Sequence, residues 1–243
     1  MMTAPHNSTN PRQNALIAAI PDADWQRWKP NFELVDLKLG QVLYGLVKSP
    51  NYVIFPTTAI VSLIYLAHDG GASEYSVVGK DGVVGIDLFM GEEGKQNQAV
   101  VQSAGWGYRL SRESMTDELR RGGAMQQILM RYTQAMIAQL AQTAMCQRHH
   151  SIEQLVCRRL LMSLDRLECN ELLITQELLA SLLGVRRESV TATALKLQQD
   201  GVIKYARGHI AVLDRKRLEQ RTCEYVQTTR NAHSHLQAMP LAA

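Results

Sequence analysis

Hydrophobic and polar positions change their period twice along the chain. From Phe32 to Leu110, short β-branched or alternating runs are separated by glycine-bearing stretches. The runs are Phe32 to Leu39, Tyr52 to Phe55, Ile60 to Ala67, Tyr75 to Val78, Ala99 to Gln102 and Trp106 to Leu110. Thirteen of the 16 glycines fall between Gly40 and Gly123. Strand-length runs this closely spaced, with frequent turns, predict a β-sandwich or small barrel. Lys80-Asp81-Gly82, between Val77-Val78 and Val83-Val84, reads as a hairpin turn, because Asp and Gly tolerate positive φ. Ahead of the strands, Asn14 to Ile20 and Pro21-Asp22 through Trp28 predict a short helical lead packed on the barrel.

From Ala124 to Gln147 there is neither Gly nor Pro, and the apolar residues step by three and four. Met125, Leu129, Tyr132, Met136, Leu140 and Ala144 form a stripe, widened by Ile128, Ile137 and Ala141. So wide a stripe on a long helix predicts two buried faces. One would cover the barrel and the other a second copy of the chain, as in a coiled coil, and Met125, Leu129, Tyr132, Met136 and Leu140 are the expected dimer interface. Ser151 followed by Gln154 is a capping box opening a new helix from Ile152 to Leu167, so a hinge is expected at 148–151. His149 and His150 suggest a metal site, but adjacent helical residues point about 100° apart and no third ligand lies nearby in sequence. A solvated helix end is the simpler reading.

Residues 175–203 carry the most specific pattern. Thr175 can cap a first helix, Glu177 suits its dipole, and Leu179, Leu182 and Leu183 give it a buried face. Ala180 lets a second helix cross close, and Gly184 permits the left-handed turn that ends the first. A second helix from Arg187 to Asp200 would bury Val190, Ala194 and Leu197 and stop at Gly201. Counted from Gln176, alanine stands fifth, glycine ninth and valine fifteenth, which are the contact, turn and anchor positions of a helix-turn-helix. Thr193 departs, standing where an apolar residue is usual. Val202 to Tyr205, the turn Arg207-Gly208 and His209 to Leu213 read as a β-hairpin wing. Arg186 and Arg187 can read guanine, Glu188 can accept from cytosine, and Arg207 and His209 can meet phosphate. With Thr175, Gln176 and Thr191 these are the candidate DNA contacts.

Composition narrows the class. With 46% hydrophobic and 20% charged residues, and no apolar run long enough to span a bilayer, the chain reads as a soluble globular protein with no membrane partner. The mean hydropathy of −0.16 agrees. The polar start, Met1 to Asn14, has no secretory pattern, so a cytoplasmic location is expected. The cysteines at 146, 157, 169 and 223 form no Cys-x-x-Cys pair and suit neither a zinc site nor a disulfide framework, so they read as buried or incidental thiols. The net charge of only +3 is unevenly placed. Residues 1–150 hold 13 basic and 13 acidic side chains, whereas 186–217 hold eight basic against three acidic. The excess lies on the second helix and wing.

Glycine-rich β-roll, long helix, hinge and winged helix-turn-helix follow one another in the order of the Crp/Fnr transcription regulators. The chain resembles that family over nearly its whole length, most specifically from Thr175 to Leu213. Similar too are the stretches 38–44, 52–57 and 78–85. The resemblance implies an α+β fold: a cupin-like jelly-roll sensor at 31–122 behind the lead at 1–30, a dimerisation helix at 123–147, a DNA-binding domain at 152–213 and a tail at 214–243. It implies a homodimer on an inverted-repeat operator in double-stranded DNA, with RNA polymerase as a further partner and no catalysis. The family's reading arginine and glutamate map onto Arg187 and Glu188, and its frequent second arginine onto Ala192, which departs from the usual half-site. Gly85, Asp87, Gln98 and Ala99 occupy the effector positions, but no arginine precedes Ala99 to pair a cyclic phosphate. Cyclic AMP is therefore not expected. An iron–sulfur cluster lacks N-terminal cysteines, and haem lacks an axial ligand other than His68. Two other readings are a metal-dependent cupin-type enzyme and a winged-helix module that binds protein instead of DNA.

Overall fold

The computed structural model describes residues 10–45, 51–68, 71–90, 96–167 and 170–223. Asn14 caps the first helix, α1 (Ala15–Ala18), through Leu16 and Ile17 N–H, and α2 (Asp22–Trp28) follows Pro21. Leu16, Ile17, Trp25 and Trp28 are buried, and Phe32 packs its ring against Trp25, Trp28, Phe55 and Tyr108. The apolar residues of the lead thus seal one end of the β-roll.

The roll consists of β1 (Glu33–Leu37), β2 (Val42–Tyr44), β3 (Tyr52–Pro56), β4 (Ile60–Leu66), β5 (Ala72–Val78), the short α3 (Asp87–Met90), β6 (Asn97–Ser103) and β7 (Gly105–Ser111). Two antiparallel sheets, ordered β1-β7-β3 and β2-β6-β4-β5, face each other across an apolar interior. The hairpin expected at 80–82 does not form. Val84 exchanges backbone hydrogen bonds with Ile54 in the other sheet instead of returning along β5. The turn is held by the rest of the molecule: Lys80 and Gly82 carbonyls accept from Ala15 N–H and the Asn14 amide, and Asp81 pairs with Arg166. A Cβ at Gly79 would sit 2.7 Å from Arg166 Cβ, and one at Gly82 2.5 Å from the Tyr132 hydroxyl. Those close approaches require glycine at both positions.

Beyond the strands, Ser111 caps α4 (Arg112–Arg121), a mostly polar helix that the apolar pattern did not mark. The long helix α5 (Ala124–His149) comes next, running two residues past its expected end, with His150 as its C-cap. Both halves of the Ser151/Gln154 capping box are made at the start of α6 (Ile152–Leu164). A second core then gathers residues of α6, β8 (Glu171–Leu173), α7 (Gln176–Leu183), α8 (Arg187–Gln199), β9 (Ile203–Ala206), β10 (His209–Val212) and α9 (Arg215–Gln220). The expected boundary at 213 leaves out α9, whose Leu218 is wholly buried against this core, as is most of Cys223. Arg215 and Arg217 are occupied internally, by Asp165 and by the Asp200 carbonyl.

The two bodies touch directly. α7 lies against β5. Arg159 of α6 forms a bidentate pair with Glu74 of β5, Nε to Oε1 at 2.5 Å and Nη2 to Oε2 at 2.9 Å, and also donates to Gln102 and Ser163. Both members of the pair are almost fully buried. Arg166 to Asp81 at 2.8 Å is a second link.

The inner face of α5 is covered by the chain itself. Met125, Leu129 and Tyr132 are buried within the chain, in the same core as Phe55 and Leu110, and Met136 packs partly against that core. Leu140 is half-buried. These residues anchor the helix to the roll. The large apolar residues that α5 leaves exposed are Met130, Ile137 and Met145, at 66%, 59% and 48% exposure. The stripe faces inward from Met125 to Met136, loses its cover toward the exposed Ala144, and has the large outer residues offset from it by one position.

Candidate nucleic-acid interface

Helix α7 starts at the cap Thr175, whose hydroxyl accepts from Leu178 N–H, and ends at Gly184 in the left-handed conformation, φ 65°. Leu179, Ala180 and Leu182 are buried, with Leu183 partly so, and α8 buries Val190, Ala194 and Leu197 against them. These positions match the sequence reading because a 3.6-residue period interrupted by one glycine admits few packings. Thr193 is half-buried between them.

The first turn of α8 is the electropositive part of the unit. Its N-cap, Arg186, provides no side-chain hydrogen bond, so the leading N–H groups of the helix lack a capping acceptor beside two exposed guanidiniums. Uncapped donors and the positive end of the helix dipole favour a phosphate there. Arg186, Arg187 and Glu188 are all exposed. Arg187 lies 3.8 Å from Glu177, a loose and solvated pair that a better partner can displace.

Contacts within the domain join the remaining candidates to this turn. Thr191 Oγ1 stands 2.7 Å from Gln176 Oε1 and 3.0 Å from the Arg187 carbonyl, so its one proton is shared between two acceptors of the fold. Thr191 therefore braces Gln176 against α8. On the other side, the Gly208 carbonyl accepts from Ile174 N–H, next to Thr175, which fixes the wing to the start of α7. The wing turn is two residues long, Ala206 pairing with His209, and both of its residues have positive φ: Arg207 at 49° and Gly208 at 81°. This is the primed turn that suits a tight hairpin. Arg207 and His209 are exposed, and His209 Nδ1 lies 4.0 Å from Glu171.

Wing tip, start of α7 and start of α8 thus make one continuous face. Of the expected contacts, Thr175, Arg186, Arg187, Glu188, Arg207 and His209 are exposed on these segments and Gln176 and Thr191 are half-buried, Thr175 and Thr191 acting as braces. Lys204, one of the basic residues of 186–217 but not among the expected DNA contacts, is exposed on β9. Among the described residues Arg186, Lys204, Arg207 and Lys216 make no ion pair. Its signal in the sequence was present, as the only charge on the first strand of the wing.

The effector positions form a different environment. Ala99 is buried, and burial holds the Asp87 carboxyl above the usual carboxylate range, with Asn97 donating to it at 3.5 Å. Tyr44 and Tyr75 share a hydrogen bond near Asp87, and burial pushes both phenols up. Gln98 packs against Gly45. His68, the histidine of the roll, lies exposed at 2.9 Å from Gln96. Cys157 is fully buried and its thiol is pushed up to about 12, chiefly by desolvation, the condition of an inert thiol. Cys169 lies outside the described residues.

A β-roll joined by a long helix to a winged helix-turn-helix defines the class: the fold is that of the Crp/Fnr transcription regulators. Residues 154–221 match the family model described as a Crp-like helix-turn-helix domain, which includes α9. A structure assigned to the Crp/Fnr family of transcriptional regulators, from Eubacterium rectale, superposes with a TM-score of 0.66 at 18% identity, covering 84% of this chain and 96% of that one. FixK2 from Bradyrhizobium japonicum gives 0.63 at 16%, covering 79% and 98%. A CRP/FNR-family regulator from Thermus thermophilus gives 0.59 at 21%, covering 77% and 97%. A comparison of the sequence with curated proteins finds no match.

Proposed function

We propose that the chain is a sequence-specific DNA-binding transcription regulator of the Crp/Fnr type, working in the cytoplasm as a homodimer on an inverted repeat. The observation that carries this reading is the single exposed face formed by the uncapped start of α8, the start of α7 and the wing tip, within a Crp-like domain. Among the described residues Arg186 and Arg207 on it make no ion pair and Arg187 only a loose one to Glu177, whereas Arg215, Arg217 and Arg221 are held by internal partners. The exposed Met130, Ile137 and Met145 face of α5 supports dimerisation, since apolar side chains at helical spacing gain by burial against a second copy. Half-sites then fall about one helical turn apart. Contacts with RNA polymerase would complete its action at a promoter.

The roll is the sensor, and the buried Arg159–Glu74 pair connects it to the reading unit. Its effector positions favour a ligand other than cyclic AMP. Asn97, Tyr44 and Tyr75 face Asp87, and no guanidinium stands before Ala99 to pair a phosphate. Catalysis of the cupin type is disfavoured on similar grounds: among the described residues the roll brings no three His, Cys, Asp or Glu side chains into ligating distance.

Operator sites selected from random DNA provide the test. Arg187→Ala should weaken binding by about 1–3 kcal/mol per half-site and relax the preference at one base. Unchanged operator affinity in a gel-shift titration would remove Arg187 from the interface. Binding that is weak and insensitive to salt would favour a protein-binding module instead.

A further inference from the structure

The thiols of the hinge region lie in an arrangement that neither the roll nor the DNA-reading face requires. Cys146, on the last turn of α5, is fully buried, and His150, its C-cap four residues on, donates its backbone N–H to the Cys146 carbonyl at 3.0 Å. Cys223, just past α9, comes back to the same point from 77 positions away and is 6% exposed. The two sulfurs are 3.6 Å apart, and they and a ring nitrogen of His150 all lie within 4.8 Å of one another.

These spacings approximate those of a coordination polyhedron. Metal–sulfur bonds of about 2.3 Å and metal–nitrogen bonds of about 2.05 Å at tetrahedral angles give edges of about 3.8 Å between sulfurs and about 3.6 Å from sulfur to nitrogen. The sulfur pair, at 3.6 Å, is already close to that edge, and the imidazole needs to close by about 1.2 Å at most. A disulfide, by contrast, requires sulfurs about 2.05 Å apart. Two sulfurs and an imidazole form a soft donor set, which selects thiophilic ions over magnesium or calcium.

A second observation points the same way. Arg158, on the following helix, is 7% exposed and donates to Thr143 Oγ1 at 3.2 Å, while its Nε has no hydrogen-bond partner among the described residues. It makes no carboxylate pair among the described residues, and Cys146 and Cys223 lie within electrostatic reach of it. A buried guanidinium without an anion is costly, and two metal-bound thiolates would supply one. With a divalent ion the cluster is neutral. With a monovalent ion it carries one negative charge, which Arg158 balances.

We propose that Cys146, His150 and Cys223 form a binding site for one thiophilic metal ion, copper(I) or zinc(II), which ties the end of the long helix to the DNA-binding domain across the hinge. His149, the other half of the paired histidines, is exposed and takes no part. The third ligand that the sequence lacked nearby is supplied by the chain's return past α9.

Reduced full-length protein, titrated anaerobically with zinc(II) or copper(I) against a competing chromogenic chelator, should take up one ion per chain. Cobalt(II) as a probe should show thiolate-to-metal charge transfer. Cys146→Ser and Cys223→Ser should each weaken uptake by more than the ~10–100-fold that loss of an outer-shell partner brings, while Cys157→Ser, in the neighbouring core, should bind as the parent does. Because a core serine can disturb folding, His150→Ala, at a half-buried position, gives an independent variant: zinc or copper should raise the thermal midpoint of the parent and not of this variant. No uptake by fully reduced protein, or uptake by Cys223→Ser and His150→Ala equal to the parent's, overturns the site.

Discussion

Replacing Glu74 with leucine should destabilise the protein by about 3–5 kcal/mol, the range for a buried ion pair that loses one member. The magnitude follows from how Arg159 spends its donors. A guanidinium has five N–H groups. Nε and one Nη2 hydrogen go to Glu74, a second Nη2 hydrogen to Gln102, and one from Nη1 to Ser163. Leucine removes the only carboxylate and leaves the charge in place, with side-chain exposure of 5% at Arg159. At about 2–4 °C per kcal/mol for a chain of this size, the thermal midpoint should fall by roughly 6–20 °C. The double replacement Glu74→Leu with Arg159→Met should recover most of the loss, since an apolar pair of similar volume replaces a buried ion pair at little cost. Urea unfolding followed by intrinsic fluorescence and by circular dichroism measures both. Because the pair bridges the roll and the reading domain, Glu74→Leu should also separate the two transitions. A loss below about 1 kcal/mol, or a double variant no better than the single, would refute the claim that this pair holds the two bodies together.

Gly82→Ala should cost about 1–3 kcal/mol by overpacking, because its Cβ would lie 2.5 Å from the Tyr132 hydroxyl, and Tyr132→Phe should recover part of that in the same melting assay. Asp87→Asn should raise stability at neutral pH. The folded carboxyl titrates above its unfolded value, so the folded state binds its proton more tightly and the ionised form costs stability once pH rises through the folded value. The gain should fade as pH falls below the ordinary carboxylate range, and a pH series of urea midpoints that shows no such convergence would contradict the burial argument. Cys157, with its thiol at about 12, should react with a thiol reagent at pH 8 only as fast as the domain opens, so its labelling rate should follow urea concentration.

The reading unit was legible because its constraints are local. One glycine at 184, an alanine four places before it and a valine six after it determine how α7 and α8 cross, and the wing turn lies within a few residues. The strands of the roll were legible from alternation, except β2, which is three residues long and bulged against β6. What failed depended on distant partners. Lys80-Asp81-Gly82 has the composition of a hairpin turn, but Arg166, 85 positions on, holds Asp81 and turns the chain toward the other sheet. Helix α4 was missed because Met115 is its one buried apolar side chain over ten residues. The stripe on α5 was read correctly as a stripe and assigned to the wrong neighbour, since amphipathic spacing says that a face is covered and not by what. Leu129 and Tyr132 took the roll because Phe55, Leu110 and Val83 stand there.

Arg207 is a case where the fold holds a residue it would not choose for comfort. An arginine with φ at 49° in a two-residue turn bears the Cβ strain that glycine escapes, of the order of 1–2 kcal/mol. Asparagine or glycine there would make a tighter and more stable hairpin, while removing the outermost guanidinium of the wing. Position 207 therefore sets robustness against recognition: laboratory selection for heat resistance alone should trade the arginine away, and selection for promoter occupancy should return it.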